Sequence, residues 1–139
     1  MTWRVLVVDG DARVRDALCA QLRRRGMHAD GADDAERALA ILERESADLV
    51  ITEACLPRRS GLWLLAEVRR RWRGRIPVIL LTGWYPDSDQ IDAYRSADAV
   101  LIKPVPVDTL LTRIARVLID ALVTGADAPA TPGREAAVD

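Results

Sequence analysis

Four short apolar runs in this chain each stop on a polar residue, with helix-length segments between them. Val5 to Val8 leads into Asp9, Leu49 to Ile51 into Thr52 and Glu53, Val78 to Leu81 into Thr82, and Val100 to Ile102 into Lys103. Runs this short and this rich in Val, Ile and Leu read as strands of a parallel sheet buried on both faces. Such sheets bind their ligands beyond the carboxyl ends of the strands, where the strand order reverses. Asp9, Glu53, Thr82 and Lys103 are therefore expected to meet at one point, bringing two acids, a hydroxyl and an ammonium together.

The lysine strengthens that expectation. Of the 20 basic residues only Lys103 is a lysine, and it stands at a strand end with Pro104 behind it. A compact ammonium and a planar guanidinium present different donors, so a lysine retained in an arginine-biased chain points to a position where arginine does not serve.

The 139 residues, half of them hydrophobic, suffice for one domain with a proper core. A formal net charge of −1 gives no global field toward nucleic acid or an anionic membrane. No apolar stretch reaches the roughly 18 residues of a membrane span. The chain enters its first strand at once, without room for a signal peptide, and a cytoplasmic location is expected. Cys19 and Cys55 lack CxxC or metal-ligand spacing, so both are expected as reduced thiols.

Five β-then-α units follow along the chain. Asp11 can cap a first helix carrying Val14, Leu18 and Leu22, with Gly26 as its stop. A weak second strand is expected at 27–29. Asp33 with Glu36 resembles a capping box for a helix bearing Ala38, Leu39 and Leu42. After a loop from Pro57 to Gly61, Leu62, Leu65, Val68 and Trp72 mark the third helix. The fourth, about residues 87–96, has only Ile91 and Tyr94 as apolar anchors and is expected to be the loosest element. The fifth carries Leu110, Leu111, Ile114, Val117, Leu118 and Leu122, and a flexible tail is expected over residues 123–139.

The segments RVLVVDGDARVRDAL, ADLVITEACLPRRSGLWLL, IPVILLTGW and ADAVLIKPV, in this order and spacing, resemble the receiver domain of bacterial two-component response regulators over about residues 3–122. The resemblance implies a three-layer flavodoxin-like (βα)5 fold, with a parallel five-stranded sheet ordered 2-1-3-4-5 and a receiver domain at residues 1–122. It sets Glu53 at the phosphoacceptor position, normally aspartate, and Asp9 in the acidic pocket that holds Mg²⁺. The second acid of that pocket is replaced by Gly10, with Asp11 as the nearest substitute. Thr82 and Lys103 match the residues that contact the phosphoryl group, Val100 stands at the aromatic switch position, and Pro104 matches a proline that usually follows a cis bond. A receiver's partners are histidine kinases and output proteins.

Phosphoryl transfer relies on positioning and on a metal that neutralises charge. The Glu53 carboxylate reaches one methylene, about 1.5 Å, beyond an aspartate, enough to spoil in-line attack. Mg²⁺ dehydrates reluctantly and wants octahedral oxygen ligands, so losing an acid leaves at most weak binding at Asp9 and Glu53. The expected function is a stand-alone pseudo-receiver, without enzymatic activity or a required cofactor, that works by protein–protein interaction. A phosphorelay acceptor using an unconventional acid and Mg²⁺ is the alternative. Glu53 either imitates the phosphorylated state through Thr82 and Lys103 or is a silent ion-pair partner. Trp84, Tyr85 and Tyr94 are the expected partner surface, and the fourth and fifth helices offer a homodimer face. The arginines at 69–71, 73 and 75 suit a helix C-terminus better than nucleic acid.

Overall fold

The computed structural model describes residues 2–127. Its elements run β1 (Arg4–Val8), α1 (Ala12–Arg24), β2 (His28–Ala32), α2 (Ala35–Arg44), β3 (Leu49–Glu53), α3 (Gly61–Trp72), β4 (Val78–Thr82), α4 (Ile91–Arg95), β5 (Ala99–Ile102) and α5 (Val107–Asp127). All strand pairs are parallel, and the sheet order is β2-β1-β3-β4-β5. This is the flavodoxin-like arrangement, with the order reversing between β1 and β3.

The pleat divides the strands between two cores. Leu6, Val8, Val50, Val78 and Leu80 face α2 and α3, where Leu39, Leu42, Leu64, Leu65, Val68 and Trp72 meet them. Val5, Val7, Leu49, Ile51, Ile79 and Leu81 face the other way, against Cys19 and Leu22 of α1 and Leu110, Ile114, Val117 and Leu118 of α5. Both faces are covered, which is why the inner strands β1, β3 and β4 show no polar alternation. Removing one such leucine or isoleucine to alanine costs about 2–5 kcal/mol.

Local chemistry places the helix ends. The Asp11 carboxylate accepts from the Arg13 backbone N–H at 2.9 Å and starts α1, and Gly26 takes the left-handed conformation (φ 85°) just past its end. The Ser60 hydroxyl starts α3 by accepting from the Trp63 N–H at 3.0 Å. Caps of this kind are each worth about 1 kcal/mol. The cap of α2 is Asp34, accepting from the Arg37 N–H at 2.7 Å, one residue beyond the expected Asp33.

Other expectations need correction. The second strand lies at His28–Ala32, because pairing with all five residues of β1 extends it past its weak apolar signal. Leu65, Val68 and Trp72 fill the α3 core face as expected, Leu64 joins them, and Leu62 is only partly buried at its edge. On α1, Cys19 and Leu22 are buried, while Val14 and Leu18 line an open groove of about 600 Å³ toward Lys103 and the start of α5. Helix α4 is only five residues long, with no side-chain cap. Helix α5 continues to Asp127, past the expected tail boundary at 123, and Leu122 is exposed on it rather than buried. The remainder of that tail, residues 128–139, lies outside the described residues.

Candidate functional site

Four strand ends build the floor of the site. Register places Val8 beside Thr52, Glu53 beside Leu81 and Thr82 beside Ile102. Asp9 therefore emerges next to the end of β3, and Lys103 next to the end of β4, where its N–H donates to the Thr82 carbonyl at 2.7 Å. The Lys103–Pro104 peptide bond is cis.

Lys103 is the hub. Its Nζ donates to Asp9 Oδ2 at 3.0 Å and to Glu53 Oε1 at 2.9 Å. The free carboxylate oxygens are also held. Asp9 Oδ1 accepts from the Asp11 N–H at 2.9 Å, and Glu53 Oε2 accepts from the Ala54 N–H at 2.7 Å, with the Cys55 N–H at 3.4 Å. Burial is the largest single influence on the ammonium and acts to lower its pKa. Its hydrogen bonds to Glu53 and Asp9, and their charges, together outweigh burial and hold Lys103 above the ordinary lysine value.

The residues around this triad take separate roles. Thr82 is fully buried, and its hydroxyl accepts from the Trp84 N–H at 3.3 Å; none of the hydrogen bonds among the described residues joins it to Glu53. Val100 is half-buried on β5, packed with the α2–α3 core. Asp11 is exposed and points its carboxylate at the first turn of α1, away from Lys103. Gly10 lies against the loop after β3: a Cβ there would stand 3.2 Å from Pro57 Cδ. Gly61 shapes the same loop, because a Cβ at that position would stand 2.0 Å from the Glu53 carbonyl oxygen. Only a residue without a side chain lets α3 start so close to β3.

Of the expected partner surface, Trp84 and Tyr85 are exposed and Tyr94 is not. Tyr94 is buried with the core between the sheet and α3. A helix as short as α4 has one inward position to spend, and the aromatic ring takes it. The expected basic cluster is largely neutralised within the chain. Arg69 donates to the Ser96 and Ile76 carbonyls and to Asp98, Arg70 pairs with Glu67, and Arg71 pairs with Glu67 and Glu43.

Three contacts have no counterpart in the sequence reading. Arg15 Nη1 donates to the Asp9 carbonyl at 2.8 Å, buttressing the acid from α1. Arg58, in the left-handed region (φ 64°), pairs with Asp34 and Glu36 and straps the loop after Glu53 to the start of α2. The amides of Ala54 and Cys55 hold Glu53, and backbone donors leave no sequence signal at all.

Mg²⁺ calls for near-octahedral oxygen ligation. The two acids here, Asp9 and Glu53, both hold Lys103, and Asp11 serves α1. Among the described residues no three His, Cys, Asp or Glu side chains are grouped to hold a metal ion. The donor set does not fit Mg²⁺. No helix among the described residues is long and apolar enough to cross a membrane.

Comparison with known proteins agrees with this architecture. The chain is 36% identical over 124 residues to the transcriptional activator protein PfeR of Pseudomonas aeruginosa, a match covering 86% of this chain and 40% of that protein. The chain thus spans less than half the length of that relative. Among solved structures, a CheY-like response regulator receiver domain from Methanospirillum hungatei superposes with a TM-score of 0.84 at 28% identity, covering 90% of this chain and all of that one. The response regulator TrrA of Thermotoga maritima, solved in complex with Mg²⁺-BeF, superposes with a TM-score of 0.74 at 29% identity, covering 84% of this chain and 99% of that one. The family model described as response regulator receiver domain matches residues 5–115. With that span, this sheet order and the cluster at the β1/β3 crossing, the chain belongs to the response regulator receiver domain family.

Proposed function

We propose that this domain is a pseudo-receiver: a two-component signalling module that acts by protein binding and is not switched by ordinary aspartyl phosphorylation. Receiver domains are signalling modules that interact with histidine kinases, and the departures of this chain fall on the phosphorylation chemistry rather than on the scaffold. The observation that carries the reading is the Lys103 ammonium bridging Asp9 and Glu53 at 3.0 and 2.9 Å. Both acids present are committed to an internal cation, and Gly10 stands where the resemblance sets the second acid. Glu53 itself has the longer arm and is curled back onto its own strand-end amides. Both of its oxygens already accept hydrogen bonds, Oε1 from the Lys103 ammonium and Oε2 from the Ala54 amide.

Within this reading Glu53 is a structural ion-pair partner rather than an imitation of a phosphoryl group. Imitation requires the Thr82 hydroxyl to donate to the added charge, and among the described residues that hydroxyl accepts from the Trp84 N–H and makes no hydrogen bond to Glu53. A carboxylate also lacks the third oxygen and extra charge of a phosphoryl group.

The test is incubation with acetyl phosphate and Mg²⁺ followed by intact-protein mass spectrometry. The mass is expected to stay unchanged. A phosphoryl increment mapped to Glu53 or Asp11 would replace this reading with that of a phosphorelay acceptor.

A further inference from the structure

We propose that the β4–α4 loop is a docking surface for an arginine-bearing segment of a partner protein, stacked on Trp84 and Tyr85 and paired with Asp87, Asp89 and Asp92. It rests on the reading that output passes through protein binding, and it names the chemistry of the partner.

Trp84 and Tyr85 are 71% and 81% exposed, the highest values among the exposed large hydrophobic side chains of the described residues. They are adjacent in sequence, and the Trp84 N–H is tied to the buried Thr82 hydroxyl, so the pair rises from a fixed stem at the end of β4. The third aromatic of the region, Tyr94, anchors α4 inside the core. A single exposed leucine needs no explanation, whereas two neighbouring aromatics in water lose hydrophobic free energy that a partner would recover. Aromatics are also the side chains that most often carry interface energy.

Charge selects the occupant. Residues 83–94 contain Asp87, Asp89 and Asp92 and no basic residue. Asp92 meets Arg95 at 3.8 Å, with both side chains well exposed, a contact that contributes little. Among the described residues, the Asp87 and Asp89 side chains have no hydrogen bond or ion pair. The arginine run at Arg69, Arg70 and Arg71, by contrast, is neutralised internally. The same carboxylates are not grouped to hold a metal ion. A guanidinium satisfies both parts of this surface, because its face stacks on indole or phenol while its edge N–H groups reach carboxylates. An acidic partner would be repelled, and a purely apolar one would leave the aspartates facing uncompensated.

The experiment titrates ¹⁵N-labelled protein with acetylated octa-arginine amide at about 50 mM salt, where surface charge is weakly screened. Octalysine and octaglutamate run in parallel, and the Trp84 indole signal is assigned with Trp84→Phe. Saturable shifts are expected at the Trp84 indole and the amides of residues 84–92, with octa-arginine binding about fivefold more tightly than octalysine. Affinity should fall about tenfold in Trp84→Ala/Tyr85→Ala and again in Asp87→Asn/Asp89→Asn/Asp92→Asn. All five side chains lie at the surface, so the variants should keep the parent Tm. Shifts confined to another surface, unchanged affinity in both variants, or equal binding of octalysine would overturn the proposal. The acetyl phosphate assay on the same samples separates the two readings. A phosphoryl increment with arginine binding intact refutes the pseudo-receiver alone, and an unchanged mass with no binding at the loop refutes the docking surface alone.

Discussion

Replacing Lys103 with methionine keeps the stem and removes the ammonium, leaving the Asp9 and Glu53 carboxylates facing each other with side chains only 9% and 14% exposed. Breaking a buried pair on one side costs about 3–5 kcal/mol, because the remaining charge is uncompensated. Here two charges remain, but each keeps a backbone donor, from Asp11 and from Ala54. Lys103 is also 28% exposed, so water reclaims part of the site. A loss of about 2–4 kcal/mol is expected, with a fall in Tm of about 10 °C for a domain of this size. Glu53→Gln alone, which keeps a hydrogen-bonding side chain, should cost about 1 kcal/mol. The double variant should recover part of the sum and give a coupling energy of about 1–2 kcal/mol in urea unfolding. Additivity within about 0.5 kcal/mol would refute the claim that the ammonium holds the two strand ends together.

Because the fold holds Lys103 above the ordinary lysine value, its contribution is fully present below the unfolded pKa of about 10.4 and is lost as pH rises through the folded value. Urea midpoints of the parent should therefore fall toward those of Lys103→Met as the pH rises above about 10, and parallel curves would contradict the pairing. Mg²⁺ at about 1 mM should stabilise the parent by well under 1 kcal/mol. Gly10→Asp should increase that response while costing about 1 kcal/mol, since its Cβ meets Pro57 Cδ at 3.2 Å; calorimetry with and without Mg²⁺ reads both. Gly61→Ala, with a Cβ set 2.0 Å from the Glu53 carbonyl oxygen, should cost more than about 3 kcal/mol and show as insoluble expression or a collapsed Tm. Hydrogen exchange across residues 83–97 should match between the parent and Glu53→Asp/Gly10→Asp without phosphorylation, and faster exchange in the variant would revive the imitation of a phosphorylated state.

Much of the scaffold was legible because burial on both faces writes itself into composition. Val5 to Val8 and Val78 to Leu81 need no partner to be recognised as interior strands, and their polar terminators mark the carboxyl edge of the sheet. Caps were legible to within a residue, as at Asp11 and at Asp34 against Asp33, since the carboxylate signal is repeated in the run of two aspartates. Tyr94 was misplaced because α4, at five residues, is too short to display a phase.

The sequence by itself determined the parallel sheet, its two covered faces, and the meeting of Asp9, Glu53 and Lys103, because strand ends in such a sheet have nowhere else to converge. Tertiary structure decided how those groups share their bonds. The ammonium bridges both acids, the Ala54 and Cys55 amides turn Glu53 back, and the Thr82 hydroxyl faces Trp84 instead of Glu53. These are choices among donors and acceptors a few ångströms apart, many of them backbone groups common to every residue. No pattern of side-chain types along the chain records which of them pair.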